Sequence, residues 1–220
     1  MPLRVLTWNL MHGRSQPPAG RNLLHEFTEA LAGWDWDVAL LQEVPPWWPA
    51  ALAQRCVADQ RLVLTSRNAL LPVRRAVARR WPDAIKSNGG GCNAILVRHR
   101  QIVEHRACRL RRWPERRWLH AVRIDSGEWF ANLHLTVHND SAAREEAAHA
   151  AAITARWAAG APAVLGGDFN VRGLSLDGFR LLGGHDVDLL FASGCSASAG
   201  GEVLARGQLS DHAPVLIALS

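Results

Sequence analysis

The sequence predicts a layered α/β protein, with sheets packed on sheets and helices outside, and three observations carry that expectation. Strand-like apolar runs recur along the whole chain, helical segments with one apolar face are few, and polar residues cluster where the strands end. The 220 residues, 48% of them hydrophobic, are enough for one domain over 1–220 with a substantial core.

The elements follow in order. LRVLTWNL at 3–10 is β-rich, and RNLLHEFTEALAG places Leu23, Leu24, Phe27, Ala30 and Leu31 on one helical face with Gly33 as a stop. WDVALLQEV at 36–44 is a continuous apolar run ending in polar residues, as a strand covered on both faces would be. PPWWPAALAQRC reads as a short helix with proline in its first turn, RLVLTS as a strand, and LLPVRRAVARRWPDAI as a basic segment of undetermined form. CNAILVR, QIVEHRACRL, RRWLHAVRI and GEWFANLHLTV are four successive strand-like runs, the last two joined by Asp125-Ser126-Gly127. Such a series predicts consecutive hairpins and antiparallel pairing. Asp140 or Ser141 is placed to cap an alanine-rich helix at 141–159, with Gly160 and Pro162 beyond its end. AVLGGDFN comes next, then a glycine-rich passage, VDLLFAS and APVLIALS, with no internal repeat and no low-complexity linker.

The net charge of +5, carried almost entirely by arginine, favours an anionic partner: nucleic acid, a phosphorylated metabolite or a lipid headgroup. Cys56, Cys92, Cys108 and Cys195 are dispersed, without metal-ligand spacing, and read as free thiols of a reducing cytoplasm. The start, MPLRVLTWNLMHGR, has too short an apolar part for a signal peptide, and no apolar run is long enough to span a bilayer. A cytoplasmic monomer is expected.

Polar residues recur at strand ends, where ligands gather in α/β architectures: Asn9, Glu43, Asp168 with Asn170, Asp188, and Asp211-His212. Each has a plainer reading. Asn9 taken alone reads first as satisfying a backbone group at a turn, Asp168 and Asn170 after two glycines suit a turn, His134 suits a sheet interior, and Asp188 suits a strand edge. Glu43 is harder to dismiss, because a carboxylate beside a buried run needs a partner or a metal.

Taken together and in order, TWN, QEV, NLHL, GGDFN, VDLLFAS and SDH resemble the motifs of the endonuclease/exonuclease/phosphatase superfamily, from Thr7 to His212. The resemblance implies a four-layer α/β sandwich with two central, mainly antiparallel sheets flanked by helices, and metal-dependent hydrolysis of phosphate esters. It implies Mg2+ or Mn2+ held by Glu43 and Asn9, with Asp211 ligating directly or through a water. It makes Asp168 the residue that orients and deprotonates the attacking water, with Asn170 helping to hold that water and the phosphate. His212, fixed by Asp188, donates to a phosphate oxygen, or the Asp188–His212 pair is itself the base; His134 contacts the phosphate or the leaving group.

For substrate, RLRRWPERRW at 109–118 and RRAVARRW at 74–81 suit either a DNA or RNA backbone with stacked bases or a solvated basic surface with tryptophans in the core. KSNGGGCNAILVR at 86–98 resembles the glycine-asparagine segment of the superfamily, which makes Asn93 and Arg98 candidates for substrate contact. Trp47-Trp48, between prolines, is the one candidate for an exposed lipid-seeking hairpin, or else a helix start packed on the core. A nuclease-like phosphodiesterase is the leading expectation, with a phosphatase, a phospholipid phosphodiesterase or a silent nucleic-acid-binding module as alternatives.

Overall fold

The computed structural model describes residues 2–66, 68–81, 83, 91–198 and 200–220. Its strands are β1 (Arg4–Asn9), β2 (Val38–Val44), β3 (Ala58–Leu64), β4 (Cys92–Arg98), β5 (Ile102–Arg111), β6 (Arg117–Ile124), β7 (Trp129–His134), β8 (Ala163–Asp168), β9 (Arg180–His185), β10 (Asp188–Ser193), β11 (Glu202–Val203) and β12 (Val215–Ala218). Its helices are α1 (Leu24–Gly33), α2 (Pro49–Cys56), α3 (Leu71–Arg80) and α4 (Asp140–Ala158). The strands form two six-stranded sheets, ordered β11-β12-β1-β2-β4-β3 and β5-β6-β7-β8-β10-β9. One pair in each sheet is parallel, β1 with β2 and β7 with β8, and the rest are antiparallel.

Burial follows from the side-chain period of the strands. Val5, Leu40, Ile95, Phe130, Val164 and Leu190 fill the space between the sheets. The residues one position along face outward: Leu6, Leu41 and Leu96 against Phe27 and Leu31 of α1 and Leu52 of α2. On the other side Leu119, Ala131, Leu133 and Leu165 meet Ala143, Ala147, Ala150 and Ile153 of α4. This is the four-layer order that the sequence predicts.

Several local expectations change. The four successive strand-like runs are not one meander: β4 is a central strand between β2 and β3, and the chain then crosses to β5 at the edge of the other sheet. Burial separates the two, since every residue of β4 is buried while β5 alternates toward solvent. The cap of α4 is Asn139, whose side chain accepts from the Ala142 N–H at 3.0 Å, one residue before the expected pair; Asp140 sits in the first turn instead. The basic segment at 70–85 is helical over Leu71–Arg80, and the glycine-rich passage contains β9. Residues 86–90 of the glycine-asparagine segment lie outside the described residues. Trp48 is buried with its ring 5.5 Å from that of Phe27, so Trp47-Trp48 is a helix start on the core and not an exposed hairpin. The cysteines are free thiols, and no helix among the described residues is long and apolar enough to cross a membrane.

Candidate active site

The parallel pairs decide where polar side chains collect. In the second sheet His134 of β7 pairs with Asp168 of β8, and Asp168 pairs with Asp188 of β10, so three expected residues share one row. In the first sheet Asn9 ends β1 beside Gln42 of β2, and the register shifts between Leu41 and Val44. That bulge contains Glu43 in left-handed conformation (φ 50°), which re-aims its carboxylate at the cleft. Antiparallel pairing of β12 with β1 brings Asp211-His212 to the same end.

Two glycines let the halves close. A Cβ at Gly166 would overlap Leu190 and Leu40, the latter from the facing sheet, and one at Gly167 (φ 139°) would overlap the Leu133 carbonyl oxygen. The GGDFN segment is therefore both a packing device and the strand end that delivers Asp168 to the cleft.

The residues meet through short, specific bonds. Asn9 Nδ2 donates to Asp168 Oδ2 at 2.9 Å, joining the sheets, while Asn9 Oδ1 accepts from the Met11 N–H at 2.9 Å. Asp168 Oδ1 accepts from the Asn170 N–H at 3.0 Å, and Asn170 Nδ2 donates to the Leu135 carbonyl at 3.0 Å. His212 Nδ1 and Asp188 Oδ2 are 2.7 Å apart, leaving His212 Nε2 3.8 Å from Asp168 Oδ2. His134 Nε2 lies 3.6 Å from Asp168 Oδ2 and 3.9 Å from Glu43 Oε1. Asn9, Glu43, His134, Asp168, Asn170, Asp211 and His212 line one cleft of about 470 Å³, and Asp188 backs it through His212.

Electrostatics follow from burial and these partners. Burial raises the Asp168 carboxyl, opposed by the His212 charge and the Asn9 bond, and it raises Asp188 to about 6 against the His212 bond. Burial pulls His212 down, but the hydrogen bond and charge of Asp188, with Asp168 and Asp211, outweigh it and hold the imidazole at about 9. Burial holds His134 well below its usual range, aided by the charge of Arg117, and raises Glu43.

Not every candidate arrives here. Arg98 is at the far end of β4, where its guanidinium donates to the carbonyls of Cys56, Trp34 and Leu31 and stacks 3.7 Å over Trp36. That head is fully committed to the fold, which corrects its reading as a substrate contact. Asn93 is at the near end of β4 but fully buried, and it does not line the cleft. Among the described residues, the three-residue convergence of His, Cys, Asp and Glu donor atoms is Asp168, Asp188 and His212, within 4.8 Å of one another, rather than a set built on Glu43 and Asp211.

Other residues complete the site without having been singled out. His12 Nε2 is 3.1 Å from Glu43 Oε2, and Arg14 lines the cleft; both stand in the TWNLMHGR run just after Asn9. Arg117, buried at the cleft and held by Glu115 at 2.5 Å, was hidden in a basic run that suggested surface. Ser210 donates to the Asn9 carbonyl at 2.7 Å and accepts from the His212 N–H at 3.1 Å, while Trp8 Nε1 donates to the His212 carbonyl at 3.0 Å. Thus TWN and SDH, bonded across separations of 201 and 204 residues, hold each other in place. Below them Asn132 donates to the Leu41 and Ala94 carbonyls of the facing sheet, each at 2.9 Å, and accepts from Gln42 Nε2 at 2.8 Å.

The same fold occurs in solved structures. The chain is similar to an endonuclease/exonuclease/phosphatase from Bacteroides vulgatus (16% identity, covering 100% of this chain and 99% of that one, TM-score 0.73). It is similar to a mannosyl-6-phosphatase from Bacteroides thetaiotaomicron (18% identity, 99% of each chain, TM-score 0.73). It is also similar to TDP2 from Caenorhabditis elegans (15% identity, 100% of this chain and 74% of that one, TM-score 0.72). No curated protein sequence matches the chain. The sequence profile of the Endonuclease/Exonuclease/phosphatase family, however, matches residues 6–212, and the chain belongs to that family.

Proposed function

We propose that the protein is a divalent-metal-dependent phosphoesterase that cleaves a phosphodiester by in-line attack of water. The observation that carries this reading is the bonded line Asn9–Asp168 with Asp188–His212 at its flank and Glu43 across the cleft. Family membership supports a phosphoester-hydrolysing chemistry.

The donor set fits a hard cation. Glu43, Asn9 Oδ1 and Asp211 offer oxygen donors on the lining of one cleft, the type that Mg2+ or Mn2+ takes, with Asp168 Oδ2 bonded to Asn9 beside them. Bound there, such an ion supplies positive charge to offset the phosphate and the charge that develops on the leaving oxygen.

The chain's own residues do the rest. Asp168, with one oxygen fixed by Asn9 and the other by the Asn170 N–H, is held rigidly enough to orient a water and take its proton. His212, its Nδ1 engaged by Asp188, presents Nε2 to the cleft as a donor to a nonbridging oxygen. His134 stands between Asp168 and Glu43, where a phosphate oxygen or leaving group passes. Arg14 and Arg116 on the cleft lining, with Arg117 buried in its wall, support a substrate with negative charge beyond the scissile group, as a nucleic-acid strand or a phospholipid carries.

The test is hydrolysis of bis-p-nitrophenyl phosphate against p-nitrophenyl phosphate with Mg2+, Mn2+ or a chelator. The diester is expected to turn over with metal and not with chelator. Preference for the monoester, as the name of the mannosyl-6-phosphatase neighbour suggests for that protein, would replace the diester reading. Chelator-resistant turnover would remove the metal.

A further inference from the structure

One surface beside the cleft has no role in the chemistry above. α3 buries none of its residues, and Leu70, Val73 and Trp81 are 74, 57 and 58% exposed. Val73 and Val77 lie one turn apart on α3, and Leu70 and Trp81 flank its two ends. Between Leu70 and Trp81 stand Arg74, Arg75, Arg79 and Arg80 and no acidic residue, and the Arg80 guanidinium lies over the Trp81 ring at 5.5 Å.

A second element with an exposed tryptophan among arginines adjoins it, its one acidic residue, Glu115, paired with Arg117. Trp113 in the β5–β6 turn is 80% exposed between Arg112 and Arg116, and the Arg116 N–H donates to the Ser66 hydroxyl in the segment that leads to α3. Ser66, Arg116 and the exposed Val137 line the cleft, so the apolar and basic surface is continuous with its mouth.

The composition of this face selects a partner. A nucleic acid would engage the arginines and tryptophans, but Leu70, Val73 and Val77 gain nothing from a phosphate backbone. The interface of an anionic bilayer takes both kinds: aliphatic side chains and tryptophan rings enter the acyl boundary while guanidinium groups meet the headgroups. We propose that α3 and the β5–β6 turn dock the protein on an anionic lipid surface, with the cleft mouth beside the headgroups. Docking is a binding property and does not depend on the hydrolytic reading.

Sedimentation of the full chain with sucrose-loaded vesicles of phosphatidylcholine, with and without phosphatidylserine, tests this, alongside binding of a fluorescent oligonucleotide. The variants are Val73→Ser with Trp81→Ser, and Arg79→Glu with Arg80→Glu; an unchanged thermal midpoint is expected because none of these side chains is buried. Wild type should sediment with the phosphatidylserine vesicles, and each pair should weaken that partitioning by at least about tenfold without changing turnover of bis-p-nitrophenyl phosphate. No binding to the anionic vesicles, binding indifferent to the apolar pair, or oligonucleotide binding that alone depends on these residues would overturn the proposal; the last would assign the face to nucleic acid.

Discussion

His120 gives the structure a measurable pH dependence of stability. It lies on the face of β6 shared with Val122 and Ile124, between the sheets, fully buried, with Nδ1 3.3 Å from His105 Nε2. Burial first, and then the neighbouring His105, lower its pKa to about 3. In the unfolded chain an imidazole titrates near 6.5, so below that pH the unfolded state takes up a proton that the native state refuses. Stability is therefore fully present above about pH 6.5 and falls as pH drops toward 3. At about 1.4 kcal/mol per pH unit, one such group costs about 2 kcal/mol between pH 7 and pH 5, and any native value below about 4 gives the same loss. Urea unfolding of wild type and His120→Leu at those two pH values measures it. Wild type should lose about 2 kcal/mol more than the variant, and the His120 ring resonances of wild type should stay those of a neutral imidazole down to about pH 4.5. Equal losses in the two proteins, or a ring that titrates near 6.5, would refute the argument.

Three further outcomes follow from particular contacts. Arg98→Ala should cost about 3–5 kcal/mol in chemical denaturation, because three carbonyls and the Trp36 face lose their partner, yet leave kcat of the folded enzyme unchanged; a kinetic defect at intact stability would return Arg98 to the site. Gly167→Ala should lose at least about 2 kcal/mol, since its φ of 139° and the Leu133 carbonyl leave no room for a methyl group, and a neutral melting shift would contradict the close approach of β7 and β8. Glu43→Gln should raise the Mg2+ or Mn2+ concentration needed for half-maximal turnover by at least about tenfold, whereas an unchanged titration curve would remove Glu43 from the ligand set.

Much of this was legible in the sequence, for reasons that differ by residue. Taken singly Asn9, Glu43, His134, Asp168, Asp188 and His212 had plainer readings, and it was the order of their motifs, with the family resemblance, that named them; the two parallel pairs bring them to one end. Arg98 failed because a charged residue at the end of an apolar run reads the same whether it faces a cleft or caps carbonyls at the C-terminal ends of α1 and α2. His12 and Arg117 were missed for a related reason. One is positioned by a left-handed turn (φ 53°) and the other is the buried first residue of β6 at the end of a basic run, neither of which has a periodicity to betray it. The path from β4 to β5 was unreadable locally, because pairing with β3 or with β6 is decided by which strand ends up central, a tertiary fact. Asn132 and Ser210 stabilise the site through bonds spanning 91 and 201 residues in sequence, beyond any local pattern.

The most direct test of the central claim is the turnover of Asp168→Ala on bis-p-nitrophenyl phosphate with Mn2+, compared with wild type at matched folded fraction. The bonded position of Asp168 predicts a fall of roughly 100-fold to 10,000-fold in kcat with the melting transition still cooperative, as removal of a positioned general base gives. Turnover within about threefold of wild type, in a folded protein, would contradict Asp168 as the residue that activates the water.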